Sequence, residues 1–228
     1  MSTLSSTQEE RIIELAGVPE DTPIPDLMFD PQPTYGDIED DILLHRDGDT
    51  ITIGFIDYDT SPSDFEWGEG CCYGDFQKFS RGDDREALMQ EILDEGKIAF
   101  FVECYQHGNS HYSVANTKGY PDRRWDVGLA GIIIPPSEVQ DRYKAILKAE
   151  GESAARAYAI KDSNGTLDEY SKWCNGEVFV KVMETIKIDG DRLVKGDYEV
   201  CGGFIGAEWA VEALKEEMPK NEEPAFEA

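Results

Sequence analysis

The sequence predicts an α+β protein with a mainly antiparallel sheet and several packed helices. Short apolar runs bounded by turn residues, read as strands, are interspersed with amphipathic runs that carry helix caps. Tight Asp-Gly and Gly-Asn connections join neighbouring strand-like runs, as hairpins require. No regular strand–helix–strand spacing is present, so a parallel sheet is not expected.

The chain has 228 residues, enough for one large domain or two small ones with a real core. Hydrophobic residues make up 40% and aromatics 11%, too much for a disordered polypeptide.

Taken in order, Ser6-Thr7-Gln8-Glu9 reads as a capping box that opens a short helix over 7–16, closed by Gly17. Five prolines from Pro19 to Pro33 mark a loop. Runs 42–45 and 50–57 form a hairpin across Arg46-Asp47-Gly48-Asp49, whereas the aromatic, turn-rich stretch 58–82 carries no assignable period. A helix follows over 83–95, ended by Gly96. Strands over 97–105 and 111–116 flank the turn His107-Gly108-Asn109-Ser110, and a third covers 127–134, halted by Pro135-Pro136. A helix over 137–150 precedes two shorter ones, 152–161 and 166–174, split by Asp162-Ser163-Asn164-Gly165. Strands over 177–188 and 192–200 meet across Asp189-Gly190-Asp191, and a last helix covers 206–218. Trp125, Trp173 and Trp209 are expected in the core.

Charge is the most informative property. Forty-eight Asp and Glu stand against 21 Lys and Arg, a net of −27. Direct capture of nucleic acid or an anionic bilayer needs a basic surface and is not expected. Residues 1–100 hold 25 acidic and 6 basic side chains, whereas 101–150 hold 6 of each. The domain expectation follows: an acidic region over 1–96, an α+β scaffold over 97–218 and an acidic tail over 219–228. No apolar run reaches the roughly 18 residues of a membrane span, and the N-terminus lacks a signal-peptide pattern. A soluble cytoplasmic protein with reduced cysteines is expected.

The chemical constellations are weak. His107 and His111 lie near Cys104, but Gly-Asn-Ser between them is turn chemistry and no third ligand is near. Asp162–Gly165 and Asp189–Asp191 invite calcium, yet neither continues as an EF-hand loop. No phosphate-binding glycine motif is present. Arg123-Arg124 reads as internal counter-charge for the acidic half. No catalytic residue, cofactor or metal is expected. The acids have geometry of their own: Glu39/Asp41, Asp47/Asp49, Asp57/Asp59 and Asp64/Glu66 are i, i+2 pairs, which on an extended chain project together roughly 6.5–7 Å apart.

From about residue 98 four stretches recur in order: Tyr105-x-His107-Gly108, Trp125-Asp126-x-Gly128-x-x-Gly131, Glu169-Tyr170-x-x-Trp173-x-Asn175-Gly176-x-Val178, and Gly203-Phe204-x-Gly206-x-Glu208. Their order resembles a group of phage- and plasmid-borne acidic proteins over about half the chain. Phe179-Val180-Lys181 and Cys201–Gly206 depart from that group's usual forms. The resemblance implies a mobile-element origin and no agreed activity. In character, the acidity is similar to that of DNA-mimic anti-restriction and anti-CRISPR proteins.

The functional expectation is therefore a non-enzymatic phage or plasmid inhibitor of a host DNA-binding defence protein, of restriction or CRISPR-effector type. Glu39, Asp40, Asp41, Asp47, Asp49, Asp57, Asp59, Asp64, Glu66 and Glu69 would fill the target's basic channel as a nucleic-acid mimic. The alternative is a protein-binding adaptor of a mobile element whose acidity serves only solubility. An enzyme ranks third. A mimic needs its carboxylates on one contiguous face, and an adaptor would scatter them.

Overall fold

A computed structural model describes residues 4–29, 31, 42–68 and 71–219. In chain order the described elements are α1 (Ser6–Ala16), β1 (Leu43–Asp47), β2 (Thr50–Tyr58), β3 (Asp75–Lys78), α2 (Arg85–Asp94), β4 (Phe100–His107) and β5 (Asn109–Val114). There follow α3 (Arg123–Asp126), β6 (Val127–Ile134), α4 (Ser137–Glu150), α5 (Glu152–Cys174), β7 (Val178–Asp189), β8 (Arg192–Ile205) and α6 (Ala207–Glu217). The fold is α+β, with two antiparallel four-stranded sheets.

The chain forms two compact units, and they do not follow the expected boundary at 96/97. Unit 1 combines residues 1–63 with 177–228; unit 2 is the intervening 64–176. The hairpin near the N-terminus and the one near the C-terminus belong to one sheet, because β2 pairs with β7 over nine residue pairs. Composition along the chain carries no trace of that long-range pairing.

Unit 1 has strand order β1-β2-β7-β8. Ile51, Ile53 and Phe55 of β2 join Val180, Val182 and Ile186 of β7 on one face, under Ile12 and Ala16 of α1 and Leu27. Ile56 and Phe179 point to the other face, where Ala210, Val211, Leu214 and Met218 cover them. Both faces of the middle strands are buried, so β2 reads as a near-continuous apolar run. Removing each fully buried isoleucine from water stabilises the unit by about 2 kcal/mol. The described part of the proline-rich loop is held mainly by Glu184, with Lys195 Nζ donating to the Asp26 carbonyl at 2.9 Å. The Glu184 carboxylate, 2% exposed, accepts hydrogen bonds from the Met28 N–H at 2.8 and 2.9 Å and from the Phe29 N–H at 3.1 Å.

Unit 2 has strand order β3-β6-β4-β5. The stretch without sequence period supplies much of its core: Phe65, Trp67 and Phe76 pack with Tyr112, Tyr170 and Trp173 in an aromatic cluster. Trp173 is partly buried there, but Trp125 is 78% exposed and Trp209 56% exposed, which corrects the expectation for both.

The two short helices expected over 152–174 are one helix of 23 residues. Asn164 explains why its turn-like sequence stays helical. Its Oδ1 accepts the Val114 N–H at 2.8 Å, while Ser171 Oγ accepts the Tyr112 N–H at 2.8 Å and Asn175 Oδ1 accepts the Ser110 N–H at 2.9 Å. Positions 164, 171 and 175 fall on one stripe of a 3.6-residue period and run beside the edge strand β5. About 16 Å of helix thus covers about 14 Å of strand, and tertiary bonds outweigh poor local propensity.

Candidate partner-binding surface

The acidic hairpin turns of unit 1 lie at the same end of its sheet. Asp47 pairs with Thr50, Thr50 with Lys187, and Asp189 with Arg192. The Ile188 N–H donates to the Asp49 carbonyl at 2.7 Å and ties the two turns together. Both turns read Asp-Gly-Asp, with Gly48 and Gly190 at φ 57° and 60°. Asp47, Asp49, Asp189 and Asp191 are all exposed, on turns about 10 Å apart, two strand spacings. Lys187 and Arg192 stand beside them and are exposed. Arg46 is exposed as well; it donates to the Gly48 carbonyl within the turn at 3.0 Å and to the carbonyls of Leu15 at 2.7 Å and Ala16 at 3.0 Å at the end of α1. The Thr22 hydroxyl reaches the Asp191 carbonyl at 3.5 Å, which brings the Glu20-Asp21 segment to the same end.

The other expected acids are placed elsewhere. Asp57 lies at the far end of β2, about 26 Å of strand from Asp49, and Asp59 follows just beyond it. Both are used locally: Asp57 Oδ1 accepts the Tyr58 N–H at 2.7 Å, and Asp59 accepts from Ser61 N–H at 3.0 Å and Gly203 N–H at 3.2 Å. Asp64 and Glu66 are exposed but belong to unit 2. Glu39, Asp40, Asp41 and Glu69 lie outside the described residues. Asp47 and Asp49 straddle a turn, so they are not the extended pair that their spacing suggested. Within unit 1 the described members of the expected stripe, Asp47 and Asp49 against Asp57 and Asp59, therefore lie at opposite ends of β2 and do not make one contiguous face. Asp189 and Asp191, read in the sequence only as turn chemistry, join Asp47 and Asp49 instead. The repeated Asp-Gly-Asp is the signal that could have linked them, had the β2–β7 pairing been legible.

The counter-charge expected of Arg123 is present, but its partner is not in the acidic first hundred residues. Arg123 grips Glu103 in a two-pronged ion pair, with Nη1 to Oε1 at 3.1 Å and Nη2 bonded to Oε2. Glu103 is 2% exposed, and Arg123 also donates to Asn116 Oδ1 at 2.9 Å. Arg124 lies over the Trp125 ring at 5.2 Å.

The cysteine and histidines do not converge. Cys104 pairs with Tyr112 across the ladder, whereas Tyr105 pairs with His111 on the alternate positions, so the thiol and His111 face opposite sides of the sheet. Burial pushes the Cys104 thiol up, away from the thiolate that a nucleophile needs. His107 Nδ1 lies 3.2 Å from Asp126 Oδ2, a surface pair. Burial and the neighbouring Glu169 carboxylate push the Tyr73 hydroxyl up to about 12, and burial also raises Tyr112 and Tyr170. These phenols stay neutral and act as packing groups. A cavity of about 530 Å³ in unit 2 is lined by Asp75, Glu91, Lys97, Asp141 and Lys144 among others, with no cysteine or histidine among the described residues of its wall. No group of three or more His, Cys, Asp or Glu among the described residues is arranged to hold a metal ion. No described helix is long and apolar enough to cross a membrane.

No family model matches the chain, and no curated protein and no solved structure matches it either.

Proposed function

We propose that the protein is a non-enzymatic inhibitor that binds the basic surface of a nucleic-acid-binding protein through unit 1. One observation carries this reading: the fold concentrates the charge in one unit. Unit 1 holds 28 acidic and 8 basic side chains, a net of −20, against 20 and 13 in unit 2, a net of −7. The two units are nearly equal in length, so solubility alone gives no reason for so uneven a division. A surface of this charge raises the encounter rate with a basic partner, whose Lys and Arg groups are already arranged for a polyanion. The paired Asp-Gly-Asp turns are its contact. The imitation is one of charge rather than of phosphate spacing, since the i, i+2 pairs of the expected stripe are divided between two ends of β2 and between two units. The resemblance to mobile-element proteins is the reason to seek the target first among host restriction and CRISPR-type effectors.

The test is capture from host lysate on the immobilised full-length chain, eluted through a salt series with duplex DNA as competitor. The reading expects a basic nucleic-acid-binding protein that DNA displaces and that salt releases, because exposed charges are screened over about 8 Å at physiological ionic strength. Captured proteins that resist both salt and DNA would favour the adaptor instead.

A further inference from the structure

We infer that the groove between α1 and the 17–24 segment of unit 1 is a docking site for a lysine- or arginine-rich protein segment that carries a bulky apolar side chain. The inference rests on the reading above, that unit 1 binds a basic protein, and names what it would hold there. The groove encloses about 920 Å³. Ile13, Val18 and Ile24 contribute apolar surface; each is only partly buried against the core beneath. Glu9, Glu10, Glu14 and Glu20 line it, and among the described residues no lysine or arginine does. All four carboxylates are exposed, so they are free to meet cations.

The local fold explains why the groove stays open. A capping box of Ser5 with Gln8, one residue earlier than the Ser6–Glu9 box expected from the sequence, starts α1, and Gly17 in the left-handed conformation turns the chain back alongside it. Ile12 and Ala16 take the inward stripe and are fully or almost fully buried, which leaves Ile13 at the margin. Three prolines between 19 and 25 remove backbone donors that could close the segment onto the helix.

Charge decides the occupant. Residues 32–41 carry Asp37, Glu39, Asp40 and Asp41 without a cation, and 220–228 carry Glu222, Glu223 and Glu227 against Lys220. A second copy of the chain brings −27. All three are repelled by four carboxylates, and Met1-Ser2-Thr3 carries no lysine or arginine; a foreign basic segment is the complementary occupant. The apolar floor adds a requirement that charge alone does not: burying one leucine-sized anchor is worth about a tenfold gain in affinity or more.

The probe is a synthetic amphipathic peptide of lysine and leucine, titrated into the full-length protein while the methyl resonances of Ile13, Val18 and Ile24 are followed. A peptide with its leucines replaced by serine controls for charge alone. The inference expects those methyls to shift, the leucine peptide to bind about tenfold more tightly than the serine one, and a Glu10→Gln/Glu14→Gln/Glu20→Gln variant to lose about tenfold. These three positions are exposed, so that variant keeps its core. Equal binding of the two peptides, or shifts at the Asp47–Asp49 turn without shifts at the three methyls, would overturn the groove and leave the charged-surface reading standing. Conversely, the charged-surface reading fails, and the groove survives, if the peptide seats on the methyls while lysate capture yields nothing that salt or DNA displaces.

Discussion

The two sheets face the same hazard, an edge strand with unpaired backbone, and meet it differently. In unit 2 the outer strand β5 is covered: Asn164, Ser171 and Asn175 of the α5 segment accept its N–H groups as a neighbouring strand would. In unit 1 the outer strand β8 has no described strand or helix pairing along its far side, and its ladder is interrupted twice instead. Two residues of β8, Gly196 and Asp197, oppose Thr185, and the Thr185 hydroxyl bridges the bulge by accepting from Asp197 N–H at 2.8 Å and donating to its carbonyl at 3.0 Å. A Cβ on Gly196 would lie 2.3 Å from Thr185 Oγ1, so only glycine allows that approach. The second bulge, at Gly202-Gly203, is held by Asp59. Bulges twist an edge away from further pairing. The lesson extends to charge. Both units pair their buried charges, Glu103 with Arg123 in unit 2 and Glu184 with Lys195 and Lys181 with Glu217 in unit 1. Unit 2 caps its β5 edge from within, whereas unit 1 leaves its excess acidity and its β8 edge facing outward, as a surface built for a partner does.

Breaking unit 2's internal compensation should give the largest effect. Replacing Arg123 by alanine leaves Glu103 buried without its cation, which costs about 3 kcal/mol, the low end of the range because Arg123 itself is partly exposed. The expected signature is a drop of that size in the denaturant-derived stability, with amide exchange accelerating in β4 and β5. No change would mean that water already compensates Glu103. Removing one rung of the α5 ladder is the next step down. Ser171→Ala leaves the Tyr112 N–H unpaired and should cost about 1–2 kcal/mol, read as faster exchange of that amide. A Tyr112 amide that stays protected would show that the edge is covered without the serine.

The smallest effect is expected at Trp125. Truncation to alanine should change stability by less than about 0.5 kcal/mol, because its ring lies on the surface beside Arg124. A loss approaching 3 kcal/mol would restore the core role that the sequence suggested.

That disagreement shows what was legible. Helices with clear caps and a period, such as α1 and α4, were placed almost to the residue; the three hairpins were located by their Asp-Gly and Gly-Asn turns, but strand bounds such as 97–105, 111–116 and 192–200 miss by two to five residues. Trp125 and Trp209 were misjudged because hydrophobicity was read without knowing which helix face meets the sheet. The stretch 58–82 has no period since Phe65, Trp67 and Phe76 reach the core from loop and short strand. The Asp162–Gly165 break was misread because the partners that keep Asn164 helical lie on β5, fifty positions away. For the site, the sequence showed that acidity mattered and pointed to Asp47 and Asp49. It could not show that Asp189 and Asp191 sit beside them, because only the β2–β7 pairing brings the chain's two ends together.

The central claim is that unit 1's charge, and not the chain's total charge, recruits the partner. It is tested by association kinetics of the captured target with two variants of equal net charge. One is Asp47→Asn/Asp49→Asn/Asp189→Asn/Asp191→Asn. The other removes four exposed acids from unit 2: Asp64→Asn/Glu66→Gln/Glu150→Gln/Glu152→Gln. The account predicts that the first variant associates about tenfold more slowly at low salt and loses most of its salt dependence, with the dissociation rate nearly unchanged, while the second behaves like wild type. Equal slowing in both variants would show that only total charge matters and would contradict it.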